Sequence, residues 1–497
     1  MAVSRRALPL LAGPLLALAV GLALPVTYID AAGDPVALPA GARAVAAMTV
    51  WMALWWITEP VPVYATALLP LALFPLLGIA SGAATAAAYG DPLVFLFFGG
   101  FILALALERW GLHERLALAV LRVVSPRPDR IVGAFMAVAA FTSLWVSNTA
   151  TTLMLLPVAQ SVLASVAPSD GRDVHPGRAG FAAALVLGIA YASSIGGMGT
   201  VIGTAPNVFV ASFLRNQLQV DIGFLDWMLV ALPLVLVLLP AAWWVLVRGV
   251  CRVDTVPLPA AGATVAGLAR GLGPMGPAAR RTAAVFACAA VAWIARPWLD
   301  GLVLFGAEPF RGLTDTTVAV GAAVALFVIP AGGGGRGALM DWETAARLPW
   351  GLLILFGGGL SLAAALQASG FGAYLAALGT GLGDLPGWLV LLVVTAGVVF
   401  LSEVASNAAT AATAVPILAA VAGGAGLAPV PLVLAACFAA SCGFMLPVAT
   451  PPNAIAYGTG LVPGRLMTRA GIWLNLLGIL FISALTWGII IPLGLFR

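Results

Sequence analysis

Phe141-Thr142-Ser143-Leu144-Trp145-Val146-Ser147-Asn148-Thr149-Ala150-Thr151-Thr152 lies between two apolar arms, and Leu401-Ser402-Glu403-Val404-Ala405-Ser406-Asn407-Ala408-Ala409-Thr410 lies between two more. Each arm has about 15 residues, short of the roughly 20 that an apolar helix needs to cross a bilayer core. A polar tip between two short arms predicts a hairpin that enters the membrane and returns to its own side, here over 131–166 and 390–422. Ser, Asn and Thr suit such a tip because they cap helix N-termini and satisfy backbone groups that hydrocarbon leaves without partners.

The two tips belong to a longer repeat. An offset of 259 residues superposes Gly99-Gly100 on Gly358-Gly359, Gly111 on Gly370, Ser143 on Ser402, Ser147-Asn148 on Ser406-Asn407, Thr151 on Thr410 and Pro157 on Pro416. Further on, an offset of 246 brings Thr204-Ala205-Pro206-Asn207 onto Thr450-Pro451-Pro452-Asn453. A chain rich in Gly and Ala matches itself easily at single positions, but chance does not account for two polar interruptions recurring in the same order.

Composition sets the medium. Of 497 residues, 62% are apolar and 8% charged, far more apolar surface than a soluble core could hide, so the chain reads as an all-α membrane protein. The apolar runs are continuous rather than alternating, which excludes a β-barrel. Every one of the 23 basic residues is arginine, yet no basic cluster interleaves with aromatics, and nucleic acid is not an expected partner. Four cysteines (Cys251, Cys288, Cys437, Cys442) and two histidines (His113, His175) lack ligand spacing, so neither a zinc site nor disulfides are indicated. An enzyme would need paired intramembrane carboxylates, a His/Cys cluster or an activated nucleophile; the sequence offers none.

Hydropathy places spans at 7–27, 45–57, 62–79, 92–110, 181–214, 226–248, 281–298, 315–330, 350–370, 431–461 and 470–494, about 11 transmembrane helices beside the two re-entrant hairpins. Arg5-Arg6 followed by the apolar run Ala7–Val26 and Asp30-Ala31-Ala32 looks like a signal peptide, but the run is long for one and predicts a retained helix. With the hairpins returning to their own sides, 18 arginines fall on the cytoplasmic side and Arg43, Arg215, Arg296, Arg311 and Arg497 on the other, a positive-inside split with the N-terminus cytoplasmic. Residues 1–44 then form an N-terminal helix and loop, 45–250 a first repeat, 251–280 a Pro/Gly-rich linker and 281–497 a second repeat. An odd number of crossings per repeat turns the second upside down, and inverted repeats place a transport site near the midplane.

At each tip the arm leading in ends in carbonyls and the arm leading out begins with N–H groups, so cations suit the first and anions the second. Ser143, Ser147, Asn148, Ser402, Ser406 and Asn407 supply hard oxygen ligands appropriate to Na+. The glycine run Gly196–Gly203 and the prolines of Leu446–Asn453 break their helices, and the freed carbonyls offer further ligands. No arginine lies deep in an apolar segment, so an anion would be held by helix ends, amides, hydroxyls and bound cations. Glu403, whose repeat partner is Leu144, is expected to hydrogen-bond nearby backbone; Asp91 and Glu108, near segment ends, are expected to be solvated.

Ser147-Asn148-Thr149 resembles the first Ser-Asn-Thr motif of the divalent-anion/Na+ symporter family, and Ser406-Asn407-Ala408 resembles the second with alanine for threonine. Gly203–Asn207 and Ala449–Asn453 resemble its Gly-Thr-Pro-Pro-Asn signature. The resemblance covers nearly the whole chain. It implies Na+-coupled uptake of a divalent anion, a C4 dicarboxylate such as succinate, across a bacterial inner membrane by a homodimer working as an elevator, with Na+ as coupling ion and no cofactor. Na+-independent dicarboxylate exchange and Na+/sulfate symport are its alternatives. Carried over by position, it implies Na+ contacts at Ser143, Ser147, Asn148 and Gly199 and at Ser402, Ser406, Asn407 and Ala449. Substrate contacts would be Ser147, Asn148, Thr149, Ser406, Asn407, Thr450 and Pro451.

Overall fold

The computed structural model describes residues 2–30, 33–166, 176–303, 307–332 and 337–495. Ala31, Ala32, Arg172, His175, Arg336 and Arg497 lie outside the described residues, as do the side chains of Arg5, Arg6 and Arg178. A first helix α1 (Ala2–Ala23) packs along α2 (Ala40–Thr58), with a two-stranded hairpin between them, β1 (Thr27–Ile29) antiparallel to β2 (Pro35–Ala37). The span expected over 62–79 is broken into α3 (Val63–Thr66) and α4 (Leu69–Leu73), followed by α5 (Gly82–Ala87). Pro70 and Pro75 remove ladder donors there, and a proline inside a helix interrupts it.

From α6 onward one order of elements occurs twice, and the two hairpins share their helix limits. α6 (Pro92–Arg109) and α7 (Leu112–Val123) lead into the hairpin α8 (Pro128–Ser143) and α9 (Asn148–Ser165). Then come α10 (Pro176–Gly197), α11 (Ala205–Gln217) and α12 (Phe224–Trp244), which runs on as a π-helical turn to Val250. Next come α13 (Pro259–Gly271), α14 (Pro277–Leu299), α15 (Asp315–Val328) and α16 (Trp342–Ala345). The order of α6 to α12 then recurs in α17 (Trp350–Ala368), α18 (Phe371–Gly379), α19 (Gly387–Ser402), α20 (Asn407–Gly424), α21 (Pro429–Ala440), α22 (Pro451–Gly458) and α23 (Gly464–Leu485), which also ends in a π-helical turn, Thr486–Ile490. The offset of 259 carries both ends of α8 and α9 onto α19 and α20. It also carries Gly111, at φ 63°, onto Gly370, at φ 84°. Each is a left-handed hinge that a side chain would strain. The sequence reading does not include the helices that these hinges start, because α7 is amphipathic and charged while α18, although apolar, is too short to read as a span.

Among the described residues eight helices are long and apolar enough to cross a membrane, and six shorter apolar helices accompany them. The core runs through α10 from Phe181 on and through α21, where the side chains are almost wholly buried. α10 lies against α8 and α9, and α21 against α19 and α20. The second pieces of the broken helices then cross over: α11 packs on α20, and α22 packs on α9. Tyr191 of α10 donates its hydroxyl to Phe444 O (2.8 Å), while its repeat mate Cys437 of α21 donates to Asn207 Oδ1 (3.5 Å). Apolar side chains such as Leu229, Leu236, Val291 and Trp473 face outward, as a hydrocarbon solvent permits.

Around this core the helices approach backbone to backbone at glycine. A Cβ on Gly99 would lie 2.6 Å from the carbonyl carbon of Ala319 in α15, and its mate Gly358 is pressed against Ala67 O. Gly358→Ala is therefore expected to destabilise the protein by about 1–3 kcal/mol, whereas Gly321→Ala in α15, with nothing near, should be neutral or slightly stabilising. Thermal unfolding in detergent compares the two; equal midpoints would contradict the close packing.

Outside the spans, Arg109 at the end of α6 pairs with Asp341, the N-cap of α16, and donates to Thr344 Oγ1 (3.0 Å). The Thr344 backbone N–H, then its hydroxyl and Arg109, hold the Asp341 carboxyl down at about 2, from an ordinary 3.8. A depressed carboxylate contributes above its unfolded value and loses that contribution as pH falls through the folded one. The difference in unfolding midpoint between wild type and Asp341→Asn is thus expected to be level above about pH 4 and to close toward pH 2.

Candidate functional site

Each tip closes on a serine and an asparagine. Ser143, the last residue of α8, donates its hydroxyl to Asn148 Oδ1 (2.8 Å), and Ser402, the last of α19, lies 3.0 Å from Asn407 Oδ1 and 2.6 Å from Ala440 O. Both serines are fully buried while the asparagines are half-buried. Ser147 and Ser406 cap the outgoing helices, accepting from the N–H groups of Ala150 (3.4 Å) and Ala409 (3.3 Å). Each tip therefore gathers a hydroxyl, an amide oxygen and incoming-helix carbonyls beside an outgoing helix N-terminus. Such oxygens are hard ligands for an alkali cation, and the N-terminus favours negative charge. No group of three His, Cys, Asp or Glu residues occurs among the described residues, so oxygen chemistry of this kind is what the tips offer.

The unwound loops complete the picture through residues that the motifs contained but to which no role had been given. Asn207 Nδ2 lies 3.0, 3.2 and 2.7 Å from the carbonyls of Gly197, Met198 and Thr200, and Asn453 Nδ2 donates to Gly443 O (3.1 Å) and Leu446 O (3.0 Å). A carboxamide placed just inside a helix that follows a broken one reaches back to the carbonyls the break set free. Its position after Thr-x-Pro was the available signal.

Of the glycines, Gly197 presses on Asn148 Oδ1 and Gly203 on Gly197 O, whereas Gly199 faces Leu144 and Leu232. In the second loop a Cβ on Gly443 would lie 3.1 Å from both Ser402 O and Ala449 Cβ, so Ala449 joins Ser402 through Gly443. Thr450 caps α22 by accepting from Asn453 N–H (3.2 Å), and Pro451 opens that helix on an exposed face. Thr149 is half-buried; its mate Ala408 is buried.

The carboxylates part company with expectation at one place. Asp91 is 7% exposed, not solvated: it accepts from Leu93 N–H (2.9 Å), Ser212 Oγ (3.0 Å) and Asn216 Nδ2 (2.6 Å), tying α6 to α11. It caps a helix whose N-terminus is covered by another helix, and a buried carboxylate persists only with such donors. Glu108 is exposed. Glu403 binds backbone, as its position suggested: it accepts from the N–H groups of Phe444 (2.7 Å), Met445 (2.9 Å) and Leu446 (3.0 Å) and from Asn475 Nδ2 (2.7 Å).

Comparison with known proteins gives the family. The family model described as "Sodium:sulfate symporter transmembrane region" matches residues 15–494. A "Sodium-dependent dicarboxylate transporter SdcS" of Staphylococcus saprophyticus is 38% identical over 90% of this chain and 86% of its own. The protein of that name from Staphylococcus aureus (strain USA300) is 37% identical over 88% and 84%. A solved YdaH transporter of Alcanivorax borkumensis, 14% identical, shares the fold at a TM-score of 0.61 over 99% of this chain and 100% of its own. By the match along nearly its whole length, the chain belongs to the sodium:sulfate symporter family of membrane transporters, the divalent-anion/Na+ symporters, and is not an enzyme.

Proposed function

We propose that the protein is a secondary transporter that couples Na+ entry to uptake of a C4 dicarboxylate such as succinate across a bacterial inner membrane. The observation that carries this reading is the pair of tips at which Ser143 meets Asn148 and Ser402 meets Asn407. Each supplies cation ligands next to a helix N-terminus capable of attracting a carboxylate. In this reading Ser143, Ser147, Asn148 and the Gly197–Gly199 loop bind one Na+. Ser402, Ser406, Asn407 and the Gly443–Ala449 loop bind the other. The carboxylates of the substrate then contact Ser147, Asn148, Thr149, Ser406, Asn407, Thr450 and Pro451. The names of the relatives support Na+ and dicarboxylate as cargo.

The crosswise packing of α11 on α20 and α22 on α9 supports two repeats inserted in opposite senses, with the site at their interface. An elevator movement of the hairpins against a frame, in a homodimer, completes the proposal. The N-terminus lies in the cytoplasm.

Uptake of labelled succinate into proteoliposomes is expected to require an inward Na+ gradient. Na+-independent flux that needs internal dicarboxylate would exclude symport, and inhibition by sulfate stronger than by succinate would change the cargo. Asn148→Ala and Asn407→Ala should each lower uptake by about tenfold or more, since each removes a ligand to a charged species. Uptake at the wild-type rate in both variants would refute the site.

A further inference from the structure

The two unwound loops are held by different means, and the difference leads to a residue outside every motif. In the first half the N–H groups of Met198 and Gly199 continue the helical ladder to Ile195 O (3.2 Å) and Gly196 O (2.8 Å). Thr200 Oγ1 bonds Leu144 O, Trp227 Nε1 donates to Met198 O (3.0 Å), and Leu232 covers Gly199. That loop is tied by neutral bonds and apolar packing. In the second half α21 stops at Ala440, and the corresponding N–H groups, Phe444, Met445 and Leu446, turn instead to the Glu403 carboxylate.

Glu403 is 4% exposed, and among the described residues no arginine pairs with it. Its charge is spread over three backbone dipoles and one side chain, Asn475 of α23, whose Nδ2 donates to Glu403 Oε1 at 2.7 Å. Asn475 is fully buried and its own Oδ1 has no partner in the structure, so its amide is oriented by Glu403. The helix face that carries it is cut to the loop. Gly471, one turn before, is pressed against Phe444 O, and a Cβ on Gly478, one turn after, would lie 3.2 Å from Cys442 Sγ. Residues spaced this way share one face of a helix.

We propose that Asn475 is a positioning residue for cation binding at the second tip. Through Glu403, it fixes the 444–446 backbone beside Ser402 and holds a carboxylate without a cationic partner next to that site. The first tip has no such charge, so the second tip binds the coupling cation more tightly. This inference rests on the Na+-coupled reading above.

Na+-driven succinate uptake into proteoliposomes tests it, titrating Na+ at saturating succinate and succinate at saturating Na+. Asn475→Leu, which gives α23 the apolar surface that Leu232 gives α12, is expected to raise the Na+ concentration for half-maximal uptake roughly five- to tenfold. The succinate KM at saturating Na+ should stay within about twofold, a split that a general loss of structure would not produce. Glu403→Gln should have a similar effect. The double variant should lie no more than about twofold beyond either single one, because one residue acts through the other. An unchanged Na+ requirement in Asn475→Leu, or effects that multiply in the double variant, overturns the proposal. Should Asn475→Leu not fold, hydrogen exchange on the wild type decides: the amides of Phe444, Met445 and Leu446 should be protected without Na+, and free exchange there overturns it. Wild-type uptake that needs no Na+ would sink the Na+-coupled reading instead, while the exchange result would still report on the Glu403 contacts.

Discussion

Backbone that leaves the helix inside hydrocarbon must still find partners for its N–H and C=O groups, because no water is there to supply them. Four such breaks among the described residues surround the candidate site: the tips 144–147 and 403–406, and the loops 198–204 and 441–450. Each break is tolerated because particular side chains take over the ladder. Ser147, Ser406 and Thr450 cap the helices that restart. Asn207 and Asn453 bind the carbonyls left behind, and Glu403 binds the N–H groups that no carbonyl reaches. Remove these and the breaks would each leave buried polar groups unpaired, at about 1–3 kcal/mol apiece.

The same requirement creates the site. Oxygen atoms recruited to satisfy a break are the hard ligands a small cation needs, and the helix that restarts beyond the break brings a positive end toward an anion. In the proposed reading, structural satisfaction and ligand binding draw on one set of atoms, the Ser143–Asn148 and Ser402–Asn407 pairs. Close helix packing at Gly99 and Gly358 and the arrangement of α11 and α22 across the opposite hairpins keep these four breaks together in one buried centre.

The two hairpins match in limits but not in chemistry. Glu403 stands where the first half has Leu144, and Asn475 lies on α23 where α12 offers Trp227 and Leu232 to its loop. Ala408 stands opposite Thr149. A second tip that carries a carboxyl group and a first that carries none give unequal environments within a symmetrical frame.

Length, apolar content and the recurring Ser-Asn tips determined the helical membrane fold, both hairpins and most helix limits, because these follow from forces acting over a few residues: the span of a bilayer and the capping of a helix end. The amphipathic α7 and the short apolar α18 carry no span signal and escaped that reading. So did the burial of Asp91, whose partners lie 121 and 125 residues away. Only the tertiary structure decided that Gly197 rather than Gly199 touches Asn148, and that Glu403 meets partners 41–43 and 72 residues on. Such pairings depend on how distant segments pack, and a buried carboxylate takes whichever donors that packing brings within reach.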